Sequence, residues 1–237
     1  MASSYLGSPD FTKHSENLVA VRKGLVQVER LHKQTIRAGA SEATSTIARL
    51  HGLQIGLVAE AAIRKIVADP NGFNDRERVY LRNARSRIEM WRVAIELAFR
   101  HHFSVPLRLE IDAQTTNATT AAQFSTLLDL INNDLAPVIE DRNKVAHAQW
   151  AWHLNSKEKG FTGPASAPLN YSALYSRSRL IDAIGQIVNV LTLSGVTFQR
   201  DYNDLINKVQ QAQLGLDGGS YQKFVKDLLA KSKSCNT

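Results

Sequence analysis

The sequence predicts a mainly α-helical protein, a bundle of four or five long helices with one minor, short β element. Three observations lead there. Apolar residues recur at spacings of three and four over most of the chain. Cap residues, glycine and proline punctuate these stretches only at long intervals. Strict alternation, the mark of a strand, is confined to two brief runs. No repeat, low-complexity tract or composition boundary divides the chain. Residues 14–232 therefore read as one domain, with flexible ends at 1–13 and 233–237.

From His14 to Arg37 the series Leu18, Val21, Leu25, Val28, Leu31 defines an amphipathic helix, closed by Gly39. A second helix runs from Ser41, read as its N-cap, to Ala68 before Asp69-Pro70-Asn71-Gly72. Its middle, Gly56 to Ile63, is apolar except for Glu60, and Gly52, Gly56, Ala59, Ala61 and Ala62 leave room for another helix to come close. Asn74 and Glu77 form a capping box that opens a third helix, expected to continue to about His102. Its core face is Leu81, Ala84, Ile88, Trp91, Ile95 and Phe99. Beside it lies a basic stripe, Arg78, Arg82, Arg85 and Arg92, with Arg100 close by. Such a stripe suits a phosphate backbone, although Glu89 and Glu96 also allow a solvated face with internal ion pairs.

Val105, Leu107, Leu109 and Ile111 alternate and predict a short strand. Helical periodicity resumes at Ala121, and Pro137 either kinks that helix or restarts it. Gln149 to Leu154 has a second strand pattern, pairing in a hairpin or with 105–111. The glycine- and proline-bearing run Phe161 to Pro168 reads as a flexible loop. Three more helices follow, over 170–193, 198–213 and 220–231, and lysines 223, 226, 231 and 233 make a basic tail.

The run Arg142-Asn143-Lys144-Val145-Ala146-His147 carries the chemistry. At 100° per residue, Ile131, Leu135, Val138, Arg142 and Val145 share one stripe, which puts a guanidinium on the apolar side of its own helix. There it needs a carboxylate, a phosphate or a wet cleft. Glu60 is the best partner the sequence offers; the alternative is an acid at the core rim facing water. Asn143 and His147, four apart, lie on a different face. For Arg142 and His147 to serve one site, a second copy of the helix must supply the missing side, or the helix must end before His147.

This run resembles the signature of the HEPN superfamily of small helical proteins: an arginine, four to six residues, and a histidine, often with a polar residue such as Asn143 after the arginine. The resemblance covers about residues 40–150. It implies a metal-independent endoribonuclease, working as a homodimer whose two motifs form one composite cleft. In that reading His147 is the general acid or base, Arg142 holds the scissile phosphate, and Asn143 orients His147 or the phosphate by hydrogen bonding. Lys144 and the arginine stripe would bind RNA. No metal or cofactor is implied. Members of this kind serve in phage defence or toxin systems, with a cognate antitoxin or a guide or non-coding RNA as further partners. Some are neutralised through a tyrosine two residues after the histidine; here that position is Gln149, so that route is not expected. Other HEPN domains are not nucleases, which keeps a non-catalytic RNA-binding or helical protein-interaction module open.

Composition is compatible with both readings. A net charge of +7 favours an anionic partner, nucleic acid first. The lone Cys235 excludes an internal disulfide framework and suits a reducing compartment. No apolar run reaches membrane-spanning length and no secretory leader is evident in Met1 to Asp10, so a cytoplasmic protein without membrane contact is expected.

Overall fold

The computed structural model describes residues 9–154, 159–216 and 221–234. Helix α1 (Pro9–Arg37) packs lengthwise on α2 (Ser41–Ala68). Then come α3 (Asp75–Arg82), α4 (Arg87–Phe103), α5 (Ala118–Asp129), a π-helical segment (Leu130–Leu135) and α6 (Ala136–Ala146). A hairpin of β1 (Trp152–Leu154) and β2 (Phe161–Pro164) precedes α7 (Tyr171–Leu193), α8 (Gly195–Gln213) and α9 (Tyr221–Ser234). The architecture is the mainly helical bundle the periodicity predicts, with α1, α2, α4, α7 and α8 as its long members. No described helix is long and apolar enough to cross a membrane.

One hydrophobic core runs through the bundle, from Leu25 on α1 to Ala212 on α8, centred on Ile55, Ile63, Trp91, Phe99, Ile131 and Ile187. A smaller cluster of Ile36, Tyr171 and Leu228 seats α9 on α1 and α7. Flanking helices thus share the core with residues 40–150.

Several expectations need correction. Residues 9–13 belong to α1 rather than to a frayed end; the ends 1–8 and 235–237, and with them Cys235, lie outside the described residues, as do 155–158 and 217–220. The N-cap of α2 is Ala40, with Ser41 already helical and no side-chain cap bond. The single helix expected from Asn74 to His102 is two: the capping box is present, but α3 stops at Arg82, and Ser86 restarts the chain as N-cap of α4 by accepting from the Glu89 amide. Residues 105–111 form no strand. Pro106 withholds a donor, and Arg100 Nη1 donates to the carbonyls of Pro106 and Leu109 at 2.7 and 2.8 Å, holding the segment as a turn. Leu107 stays exposed. The hairpin pairs β1 with β2 antiparallel, so part of the loop expected at 161–168 is strand.

Of the two readings of Pro137, the second holds: it opens α6 as a first-turn residue, where its missing N–H costs little. The turn before it is π-helical, and the Ala136 amide donates to the Ile131 carbonyl five residues back.

Candidate functional site

Helix α6 crosses α2 with its Arg142 stem lying over Gly56. A Cβ built on Gly56 would fall 2.4 Å from Arg142 Cβ and 2.6 Å from Cγ. Only hydrogen fits between the two helices at that point, and this close approach is what brings the guanidinium to the acid one turn further along α2. Arg142 Nη2 donates to Glu60 Oε2 at 2.9 Å, with both side chains largely but not wholly buried. The pairing read from sequence is therefore present. Arg142 Nη1 donates to Asn143 Oδ1 at 2.7 Å, so the amide holds the arginine rather than the imidazole. The third donor, Nε, is buried with no hydrogen-bond partner.

The second geometric condition is met as well. Helix α6 ends at Ala146, and His147 is its C-cap, with φ −92° and ψ 25°. The Ala148 amide donates to Val145 O and the Gln149 amide to Lys144 O, the paired bonds of a Schellman closure. Ala148 takes the left-handed conformation this closure requires, at φ 58°. Trp150 Nε1 caps the same end by donating to Val145 O at 2.9 Å, and the Gln149 side chain accepts from the Leu154 amide, tying the helix end to β1. His147 is exposed at this corner, and its ring has no hydrogen-bond partner among the described residues.

Known proteins add no label to this geometry. The chain matches no family model, no curated protein and no solved structure.

The other expected residues disperse. Lys144 points to a different side of α6, where it lines a narrow cleft of about 80 Å³ with Arg49, Asp141, His153 and Arg177; Arg177 is paired with Asp141 at 2.9 Å. Arg78 is bonded to Asp75 and to the Asp69 carbonyl, Arg82 reaches Asp10 at 3.5 Å, and Arg92 donates to Asn132. Arg85 lies exposed in the link between α3 and α4. The continuous arginine stripe is therefore broken at residues 83–86, and with it the expected phosphate track. Arg100 is engaged by Glu96 at 2.7 Å.

Two features went unread in the sequence. Gly56 was one of several small residues on α2, and nothing in the chain marked it as the one facing Arg142. Two histidines on different helices, His32 and His51, meet in the interior with their Nδ1 atoms 3.2 Å apart, beside Tyr171. Burial, and then His51, hold His32 down to about 4 from its ordinary 6.5. Burial also pushes the Tyr171 hydroxyl up, with Glu29 and Tyr175 adding to it.

Proposed function

We propose that this protein is an endoribonuclease of the HEPN type that needs no metal, acting as a homodimer through Arg142, Asn143 and His147. The observation that carries the reading is the corner itself. A guanidinium is fixed by Glu60 and Asn143, and an exposed imidazole follows where α6 ends. A paired arginine loses little freedom when it meets a phosphate, and a planar fork suits that group better than an ammonium. In the cleavage step His147 takes the proton of the ribose 2′-hydroxyl, and the 2′-oxygen attacks phosphorus. The P–O5′ bond breaks, and the leaving oxygen receives a proton from the second His147 of the dimer. Arg142 bears the charge that gathers on the phosphoryl oxygens. The products are a 2′,3′-cyclic phosphate and a free 5′-hydroxyl.

Purified protein should cleave single-stranded RNA in the presence of chelator and leave those ends. Arg142→Ala and His147→Ala should each lower the rate by about a hundredfold or more. Light scattering should give twice the chain mass. Wild type and both variants cleaving alike, or none cleaving, would refute the reading. The net charge of +7 favours the second reading, an RNA-binding module without catalysis. That module would bind RNA in a salt-sensitive way, unaffected by His147→Ala, and yield no products.

A further inference from the structure

The break that dissolves the arginine stripe assembles something else. Arg82 at the end of α3 and Arg87 at the start of α4 turn toward the same space, joined by Arg64 of α2 and His14 of α1. Together they line a concave cleft of about 290 Å³ with Val67, Ala68 and Met90, three buried apolar residues. Four separate helices thus contribute to one basic hollow.

The cations in it are poorly neutralised. Among the described residues, the carboxylate that reaches any of the three guanidiniums is Asp10, 3.5 Å from Arg82 with both side chains half-exposed. Among the described residues the Arg87 guanidinium donates to the Met90 sulfur, at 4.0 Å, and to no carboxylate, and Arg64 has no hydrogen bond. Arg78 with Asp75, Arg100 with Glu96 and Arg142 with Glu60, by contrast, all lie within 2.9 Å of a carboxylate. Three like charges around one hollow, with one half-exposed counter-charge, repel one another, and an anion placed among them relieves the repulsion. His14 feels the same field: burial, then Arg64, and then Arg82 lower it, against an opposing pull from Asp10. A neutral imidazole there can still hydrogen-bond an oxyanion.

We propose that this cleft binds a terminal phosphate, held by Arg64, Arg82 and Arg87, with the group that bears it resting on Val67, Ala68 and Met90. Guanidinium forks match phosphate oxygens two at a time, which explains three arginines where lysines would serve for mere solubility. The volume is at the lower end for small-molecule pockets. It accommodates a phosphate with its adjoining group and excludes a folded partner. The phosphate belongs either to a free nucleotide or to the 5′ end of an RNA strand. The site shares no residue with the Arg142 corner, and it stands whether or not that corner is catalytic.

Calorimetry at low salt with inorganic pyrophosphate tests it on the full chain. Wild type is expected to bind saturably at one site. Arg64→Gln with Arg87→Gln should weaken binding by about ten- to a hundredfold, whereas His147→Ala should bind as wild type does. Should the double variant fail to fold, the single exposed change Arg64→Gln, checked by its thermal unfolding, is expected to weaken binding by about tenfold. ATP, and one RNA oligonucleotide carrying a 5′-triphosphate or a 5′-hydroxyl, assign the source: the ligand that competes with pyrophosphate is the one the cleft takes. No pyrophosphate binding by wild type, or equal binding by wild type and the arginine variants, overturns the proposal.

Discussion

Helix α2 carries two polar side chains into the bundle nine residues apart, and they are handled in opposite ways. His51 faces α1 and α7 and meets His32; both are essentially sealed from water, at 0% and 1% exposure. Glu60 faces α6 and meets Arg142, with 13% and 20% of the two side chains still exposed. The first pair meets through its two Nδ1 atoms, and burial favours the neutral form of His32. The second pair is ionic and stays partly wet, so its charges cost less to hold and its guanidinium remains within reach of a ligand. Seclusion suits a structural contact; partial access suits a working one.

Lowering the pH should strain the first pair. His32 has a folded value of about 4 against 6.5 unfolded. Its contribution is fully present above pH 6.5 and is lost as pH falls from there toward 4, where the unfolded chain binds the extra proton. Urea titrations at pH 7 and pH 4.5 should differ by about 2.5 kcal/mol from this source, and His32→Asn should flatten the difference. An unchanged slope in the variant would mean that other groups carry the acid sensitivity.

Breaking the second pair comes next in size. Glu60→Ala leaves Arg142 facing α2 with no counter-charge, and denaturant unfolding at pH 7 should show a loss of roughly 2–3 kcal/mol. The close approach beneath that pair can be probed separately. Gly56→Ala forces a Cβ against the Arg142 stem, which should cost about 2 kcal/mol. Combining it with Arg142→Gly should recover part of that, since the clashing Cβ is then gone. Strictly additive losses would show that the steric account is mistaken. The smallest change is a gain. Ala148→Gly relieves a left-handed residue at the end of α6 and should add about 1 kcal/mol, read as a higher Tm.

What could be read in the sequence was whatever a single helix declares by its own pattern. The Asn74–Glu77 box, the long apolar periodicities and the charged outliers Glu60 and Arg142 on otherwise apolar faces all speak locally, and the last two announced each other because each needed a partner. The break at residues 83–86 was hidden because Leu81, Ala84 and Ile88 keep helical spacing straight across it. The alternation at 105–111 misled for the opposite reason: a strand needs a neighbour to bond with, and Arg100 took the Pro106 and Leu109 carbonyls instead. The His32–His51 contact and the basic cleft draw on residues from separate helices. Such meetings leave no mark on either contributing segment. Asn143 was expected to orient His147 or the phosphate, but the local geometry gives its oxygen to Arg142.

The π-helical turn at Leu130–Leu135 sets the rotational phase of everything downstream. Winding the same six residues as ordinary α-helix, with none removed, would turn α6 by about 100° and push it on by about 1.5 Å. Arg142 would then swing away from α2, Val138 would leave the core, and the corner bearing His147 would face a new direction. An insertion that looks like a local irregularity thus acts as the indexing notch of the motif helix, and the spacing between Pro137 and Arg142 has meaning only together with it.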